Sequence, residues 1–248
     1  MLVSVVIPCY NHGLYLEETV QSVLNSSYEK IEIIIVDDGS EDNSKEIAKT
    51  LCSKYGNVSY YYQDNGGPSV ARNYGISQSS GEYILPLDAD DLISERYIQE
   101  AVNKLNEDPE VKVVYAKAEK FGKVNKPWKL KTFSLFNLAL DNLIYVSAIF
   151  RKSDWERVNG YTENKVLVRE DWEFWIKVLK DGGKVIQLPF VGFYYRIHTT
   201  SRRKSMSKEK KNAEIDYLNQ HHSEYFKKYL NGPLRKNRSL SKLINLFS

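Results

Sequence analysis

Over residues 3–87 the chain alternates short runs that are apolar throughout with longer segments whose apolar residues recur every three or four positions. Residues 3–7 form one such run, ending at Pro8. Residues 31–36, broken only by Glu32, form a second and stop at Asp37-Asp38-Gly39-Ser40. Residues 83–87 form a third and stop at Asp88-Ala89-Asp90-Asp91. Apolar runs this short, bounded by turn residues, read as buried strands. Between them Leu16, Val20, Val23 and Leu24 have helical spacing, and a polar helix follows to about Tyr55. A strand is expected over 58–62, after which Gly66-Gly67-Pro68 turns into a helix carrying Val70, Ala71, Tyr74 and Ile76. This alternation predicts β-α-β units and a mainly parallel sheet.

Past Asp91 a helix is expected from near Ser94, with Tyr97, Ile98, Ala101, Val102 and Leu105 on its buried face. Strands are expected over 111–115 and 144–150, with an irregular excursion over 119–142 between them. Trp172, Trp175, Ile176 and Leu179 make a helical stripe. Strands over 184–188 and 191–197 follow, then polar helix from Ser207 and a short basic amphipathic segment from Leu234. The pattern shows no internal repeat.

Composition changes the picture in two places. The 248 residues are 42% apolar and 27% charged, which excludes wholesale disorder and leaves room for one large domain or two small ones. The net charge is only +3, but residues 199–248 hold 12 Lys/Arg against 4 Asp/Glu, so the body is mildly acidic and the tail strongly basic. A basic tail suggests an anionic surface as its neighbour. Cys9 and Cys52 are too few for a disulfide framework and fall where small buried side chains would serve, as in a reducing compartment. The N-terminus lacks the pattern of a signal peptide, and no apolar run approaches the ~20 residues of a membrane span. A cytoplasmic location is expected.

Candidate chemistry centres on the third strand. If the backbone stays extended past Leu87, Asp88 and Asp90 point to one side, because side chains alternate along a strand. Two adjacent carboxylates repel unless a cation lies between them, and hard divalent cations are held by one or two carboxylates together with substrate phosphates. An isolated Asp-x-Asp is more often a solvated turn. A buried strand running into it favours a metal–phosphate site, since ligands of open α/β sheets sit beyond the carboxyl ends of strands. Neither the Gly-x-Gly-x-x-Gly turn of dinucleotide folds nor a nucleoside-triphosphate loop is present.

Four motifs occur in order: Ser4-Val5-Val6-Ile7-Pro8-Cys9-Tyr10-Asn11, Asp37-Asp38-Gly39-Ser40, Gly66-Gly67-Pro68-Ser69-Val70-Ala71-Arg72-Asn73 and Leu87-Asp88-Ala89-Asp90-Asp91. Over roughly residues 2–200 this succession resembles family 2 glycosyltransferases with the GT-A fold. The resemblance implies an α/β fold with a mixed, mainly parallel central sheet flanked by helices, a catalytic domain over 1–200 and a basic helical extension over 201–248. It also implies an inverting transferase that uses a nucleotide-activated sugar, usually a UDP-sugar, with Mn²⁺ or Mg²⁺. The acceptor would be a glycan or lipid-linked glycan in bacterial surface polysaccharide assembly, with no nucleic-acid partner.

Carried onto this sequence, the resemblance places Pro8 and Tyr10 at the base and ribose and Asp38 on the uracil N3–H. It adds Gly67, Arg72, Asp88, Ala89 and Arg196 to the donor contacts, gives the metal to Asp90 with His198, and makes Asp171 of Glu170-Asp171-Trp172 the catalytic base. Trp172 or Trp175 would wall the sugar site, although their spacing puts at least one of them in the core; by strand alternation Asp91 points away from Asp90 and suits a cap on the next helix. Each residue also has a plainer reading. Asp37 and Asp38 suit turn capping, Arg72 suits an ion pair, Asp171 suits a helix N-cap, and a lone His after a strand suits a surface. Two other functions fit less well: a sugar-1-phosphate nucleotidyltransferase, which needs a Gly- and Arg-rich loop after its first strand, and an inactive nucleotide-sugar-binding subunit. In the tail, Leu240, Leu243, Ile244 and Phe247 share one helical face flanked by Arg235, Lys236, Arg238 and Lys242. That face suits either a peripheral contact with anionic lipid or packing against protein.

Overall fold

The computed structural model describes residues 1–198 and 207–247. The division expected between residues 200 and 201 lies outside the described residues. Strands β1 (Val3–Cys9), β2 (Ile31–Asp38), β3 (Val58–Gln63) and β4 (Tyr83–Pro86) pair in parallel in the order β3-β2-β1-β4. Helices α1 (Gly13–Leu24), α2 (Ser44–Lys54) and α3 (Pro68–Gln78) connect them. β1 and β4 are almost wholly buried along their length, as apolar runs without alternation require when both sheet faces are covered.

The sheet continues with mixed polarity. β4 pairs antiparallel with β8 (Ile149–Arg151), β8 antiparallel with β6 (Val111–Gly122), and β6 parallel with β9 (Lys184–Ile197). β9 carries the two-residue β5 (Leu92–Ile93), and β7 (Lys126–Trp128) folds back on β6. Helices α4 (Tyr97–Glu107), α5 (Leu135–Leu140), α6 (Lys152–Arg157) and α7 (Glu170–Leu179) complete the body.

Several elements differ from the reading of the sequence. β5 lies just ahead of the helix expected from near Ser94, and α4 begins at Tyr97. The strands expected over 184–188 and 191–197 are one strand whose register slips opposite Lys117, next to Pro189, which has no N–H to give the ladder. The strand expected over 144–150 shrinks to its last residues. Backbone carbonyls there are satisfied by side chains instead: Ile144 O accepts from the Trp175 indole at 2.9 Å, and Ser147 O from the Tyr97 hydroxyl at 2.7 Å. Trp172 and Trp175 are both fully buried, and the Trp172 indole donates to Leu138 O at 2.7 Å. Neither walls an open site; both tie α7 to the core.

The C-terminal helices α8 (Lys208–His221), α9 (Ser223–Leu230) and α10 (Ser241–Asn245) pack against this body. Glu214 of α8 is fully buried and binds the backbone N–H groups of Val168 and Arg169 as well as the Arg169 guanidinium. His222 meets Glu173 of α7 at 2.9 Å. No helix among the described residues is long and apolar enough to cross a membrane.

Candidate active site

The carboxyl ends of β1, β2 and β4 converge on one edge, where three loops interlock. At the end of β2, Asp37 is buried and accepts from Ser40 N–H at 2.8 Å and from the Tyr60 hydroxyl at 2.9 Å, which makes it the turn cap. Asp38 accepts from Gln63 Nε2 at 2.7 Å, Gly66 N–H at 2.8 Å and Gly67 N–H at 2.9 Å. A carboxylate offers about four lone-pair positions, so one remains for a ligand N–H. Gly67 has φ +91°, a conformation costly for any residue with a Cβ, and its N–H is already given to Asp38. Gly67 therefore shapes the turn that begins α3 and does not reach a donor with its amide. Pro8 is half-buried within β1, and Tyr10 just beyond is 46% exposed, free to lie against a ligand. Burial pushes the Cys9 thiol up to about 11, so it is a packed side chain and no nucleophile.

At the end of β4, Asp88 is held by Arg72 of α3, whose Nη2 lies 2.7 Å from Asp88 Oδ1. Nη1 of the same guanidinium lies 2.8 Å from Glu170 Oε1 at the start of α7. Arg72 is 3% exposed. Burial alone would disfavour its charge, but Asp88 and Glu170 outweigh that and keep it protonated. The expected donor contact from Arg72 is thus replaced by a structural one: the guanidinium is buried between two carboxylates. Ala89, also expected at the donor, is buried, and its carbonyl accepts from Thr19 of α1 at 2.9 Å. Arg196 is likewise engaged, donating to the Asp90 carbonyl at 2.7 Å and to Glu18 at 2.5 Å while lying over the rings of Tyr15 and Phe121. It braces the acidic loop instead of facing an open diphosphate site.

Asp91 does not cap α4. It is buried and accepts from Arg196 N–H at 2.8 Å. Burial, then the nearby Asp90 and Asp88, push its carboxyl well above the ordinary range.

Asp90 points the other way, to His198 at the end of β9, with Oδ2 and Nε2 2.6 Å apart. His12, at the start of α1, completes a half-buried group in which one donor atom from each of His12, Asp90 and His198 lies within 4.8 Å of the others. Two imidazoles and a carboxylate are donors that suit a divalent first-row ion, so the residues present fit the metal implied by the fold family.

Asp171 lies in the first turn of α7 beside Glu170. The helix begins after Arg169, so Asp171 is inside it and is not the N-cap. Its Oδ2 accepts from Asn142 Nδ2 at 2.6 Å and its Oδ1 from Trp172 N–H at 3.0 Å. Burial, then the charge of Glu170, push its pKa up to about 6, against the lowering effects of Asn142, Arg72 and Trp172 N–H. A carboxylate with that pKa stays largely ionised at neutral pH and is a stronger base than an ordinary aspartate.

The structure therefore links Asp88 to Glu170, the neighbour of Asp171, through Arg72 and joins Asp90 to His198, while Asp38 lies at the carboxyl end of β2. It moves Gly67, Arg72, Ala89 and Arg196 into supporting positions. Sequence reasoning missed His12, one residue past the end of the first motif. It also missed Asn142, in a stretch with no readable pattern.

The family model described as Glycosyl transferase family 2 matches residues 4–173. The glycosyltransferase GlyG of Streptococcus pneumoniae serotype 4 is 45% identical over 107 residues, 43% of this chain and 36% of GlyG. An uncharacterized glycosyltransferase of Rickettsia typhi is 34% identical over 191 residues, 72% of this chain and 59% of that protein. The chain thus spans less than two thirds of the length of either relative. Among solved structures, S. aureus TarS 1–349 in complex with UDP-GlcNAc superposes with a TM-score of 0.76 at 21% identity, covering 99% of this chain and 72% of that one. That likeness is one of fold.

Proposed function

The chain belongs to glycosyl transferase family 2 and has the GT-A fold, and from that premise we propose that it transfers a sugar from a UDP-sugar to a hydroxyl of a glycan or lipid-linked glycan, with inversion. The observation that carries this reading is the buried Arg72 bridge. It ties Asp88, on the loop suited to a diphosphate, to Glu170, the neighbour of a carboxyl whose pKa is about 6. A carboxylate loop suited to a metal–phosphate site, joined by one guanidinium to the residue next to the proposed base, suits a displacement at an anomeric carbon.

In this reading Asp38 takes the uracil N3–H, with Pro8 and Tyr10 against the base and ribose and Asp88 at the ribose. Asp171 accepts the proton of the acceptor hydroxyl as its oxygen bonds to the anomeric carbon. The bond from that carbon to the UDP oxygen breaks on the opposite face, and its electron pair leaves with the diphosphate. A divalent ion held by Asp90 and His198 would, when bound, offset the negative charge growing on the departing diphosphate. Arg196 and Arg72 act indirectly, by holding the Asp90 backbone and the Asp88 carboxylate. The bound UDP-GlcNAc of TarS, a protein of the same fold, supports the choice of donor class.

The test is a donor panel of UDP-glucose, UDP-galactose, UDP-N-acetylhexosamines and dTDP-rhamnose, read as nucleotide release and as binding with Mn²⁺ present. One or more UDP-sugars should bind and turn over. No binding of any nucleotide sugar would remove the reading.

A further inference from the structure

We propose that His12 is a third protein ligand of the donor-site metal, and that it tunes the site toward first-row transition ions and away from Mg²⁺. This rests on the reading above that Asp90 and His198 hold a divalent ion.

The case begins with the backbone. His12 starts α1, and its carbonyl accepts from Tyr15 N–H at 2.9 Å and Leu16 N–H at 3.1 Å. On either side the chain is tied to the loop after β2: Asn11 N–H donates to Ser40 Oγ at 2.9 Å, Asn11 Oδ1 accepts from Glu41 N–H at 2.8 Å, and Gly13 N–H donates to Asp42 at 3.0 Å. A side chain at this point starts from a fixed origin. Its imidazole hydrogen-bonds to none of the described residues, and its ring lies 6.0 Å from that of His198, 24° from parallel. Tyr15 packs against both imidazoles, at 6.1 Å and 5.3 Å, and limits where each can turn.

The donor atoms of His12, Asp90 and His198 lie within 4.8 Å of one another. Ligands at about 2.1 Å from one ion are roughly 3 to 4 Å apart, so a small rotation of the imidazoles closes the set. The chemistry then differs from a carboxylate-only site. Mg²⁺ demands oxygen ligands in near-ideal octahedral geometry and keeps most of its waters, whereas imidazole nitrogens suit transition ions. Two imidazoles against one carboxylate therefore favour Mn²⁺ or Co²⁺ over Mg²⁺. Remaining positions on the ion stay open for diphosphate oxygens.

The experiment measures metal binding, not turnover. Mn²⁺ is titrated into wild type, His12→Ala and His198→Ala, each with UDP present, with free Mn²⁺ read by its electron paramagnetic resonance signal and Mg²⁺ added as competitor. His12→Ala should weaken Mn²⁺ binding by about tenfold or more and reduce the preference for Mn²⁺ over Mg²⁺. Pulsed resonance of wild-type protein with Mn²⁺ should show nitrogen couplings from two imidazoles, a readout that needs no variant to fold. Unchanged affinity in His12→Ala, or a single imidazole coupling, overturns the proposal. If His198→Ala still loses binding in that case, the Asp90–His198 reading stands without His12. If neither variant changes binding, both readings fall.

Discussion

Asn142 donates its side-chain amide to Oδ2 of Asp171 at 2.6 Å, across 29 positions of sequence. Its own backbone N–H is held by the Asp141 carboxylate at 3.0 Å, and Asp141 is in turn paired with Arg238 of the tail and, at 3.5 Å, with Arg169 just ahead of α7. The proposed base is thus oriented by a loop that the C-terminal segment helps to hold. This hydrogen bond favours the ionised carboxylate. Asn142→Ala should therefore raise the Asp171 pKa above about 6 and shift the acid limb of kcat/KM to higher pH. Loss at pH 6 should exceed loss at pH 8. A pH–rate profile checks this, and an acid limb that does not move contradicts it.

Stability should carry the opposite signature of the same group. The Asp171 carboxyl binds its proton more tightly folded, at about 6, than its ordinary value of 3.8. Well below pH 3.8 both states are protonated and nothing is lost; the cost of the buried charge builds as pH rises from there and is fully present above about 6. That cost is about 1–3 kcal/mol, from the size of the shift. Asp171→Asn removes the titration, so its stability relative to wild type should rise by this amount between pH 4.5 and pH 7.5. Urea unfolding at the two values decides it; a pH-independent difference would exclude the shifted carboxyl.

Arg72 is the hinge of the site's electrostatics. Arg72→Met removes the guanidinium that Glu170 and Asp88 share, and breaking a buried pair from one side costs about 3–5 kcal/mol. Adding Glu170→Gln should restore part of the loss, because one of the two carboxylates that lost the guanidinium is then neutral. Denaturation of the single and double variants tests this. A single variant within 1 kcal/mol of wild type, on the order of a surface pair, would show that the bridge is not formed.

The strands β1, β2 and β4 were legible because their apolar runs stop at Pro8, Asp37 and Asp88; the motifs there offered Asp38 and Asp90 as candidates, and later motifs offered Asp171 and His198. What the sequence hid were partners. Nothing in the motif around Arg72 shows that its guanidinium meets Glu170, 98 positions away. Arg196 ends a strand as expected, yet Glu18 and the Asp90 carbonyl take its charge. β6 runs on to Gly122 beyond the apolar stretch because β7 and β9 supply its ladder on both sides. Fully buried charge on a polar helix, as at Glu214, is invisible until Arg169 is seen beside it.

The tail is the part where structure narrows the expectation most. Leu243 is 55% and Phe247 86% exposed, so an apolar face is available. Of the flanking basic residues, however, Arg238 is paired with Asp141 and Arg235 donates to Asn245 at 2.8 Å. That leaves Lys236, with Lys242 lying over the Phe136 ring at 5.0 Å, at about 1 kcal/mol each near an anionic surface. Binding to anionic liposomes should be weak, salt-sensitive and abolished by Leu243→Glu with Phe247→Glu, while UDP binding persists. Failure of the full chain to sediment with anionic liposomes at low salt would end the membrane role.

Turnover of Asp171→Asn, measured beside its UDP binding, is the most direct test of the proposed transfer chemistry. Asn keeps the size of the side chain and an oxygen to accept from Asn142, but it cannot take a proton from the acceptor. With Asp171 as the base, the variant should stay folded, bind UDP with Mn²⁺ as wild type does, and lose roughly 10²-fold or more in turnover. Near-normal turnover would contradict the assignment of Asp171 as the base and, with it, the proposed route of transfer.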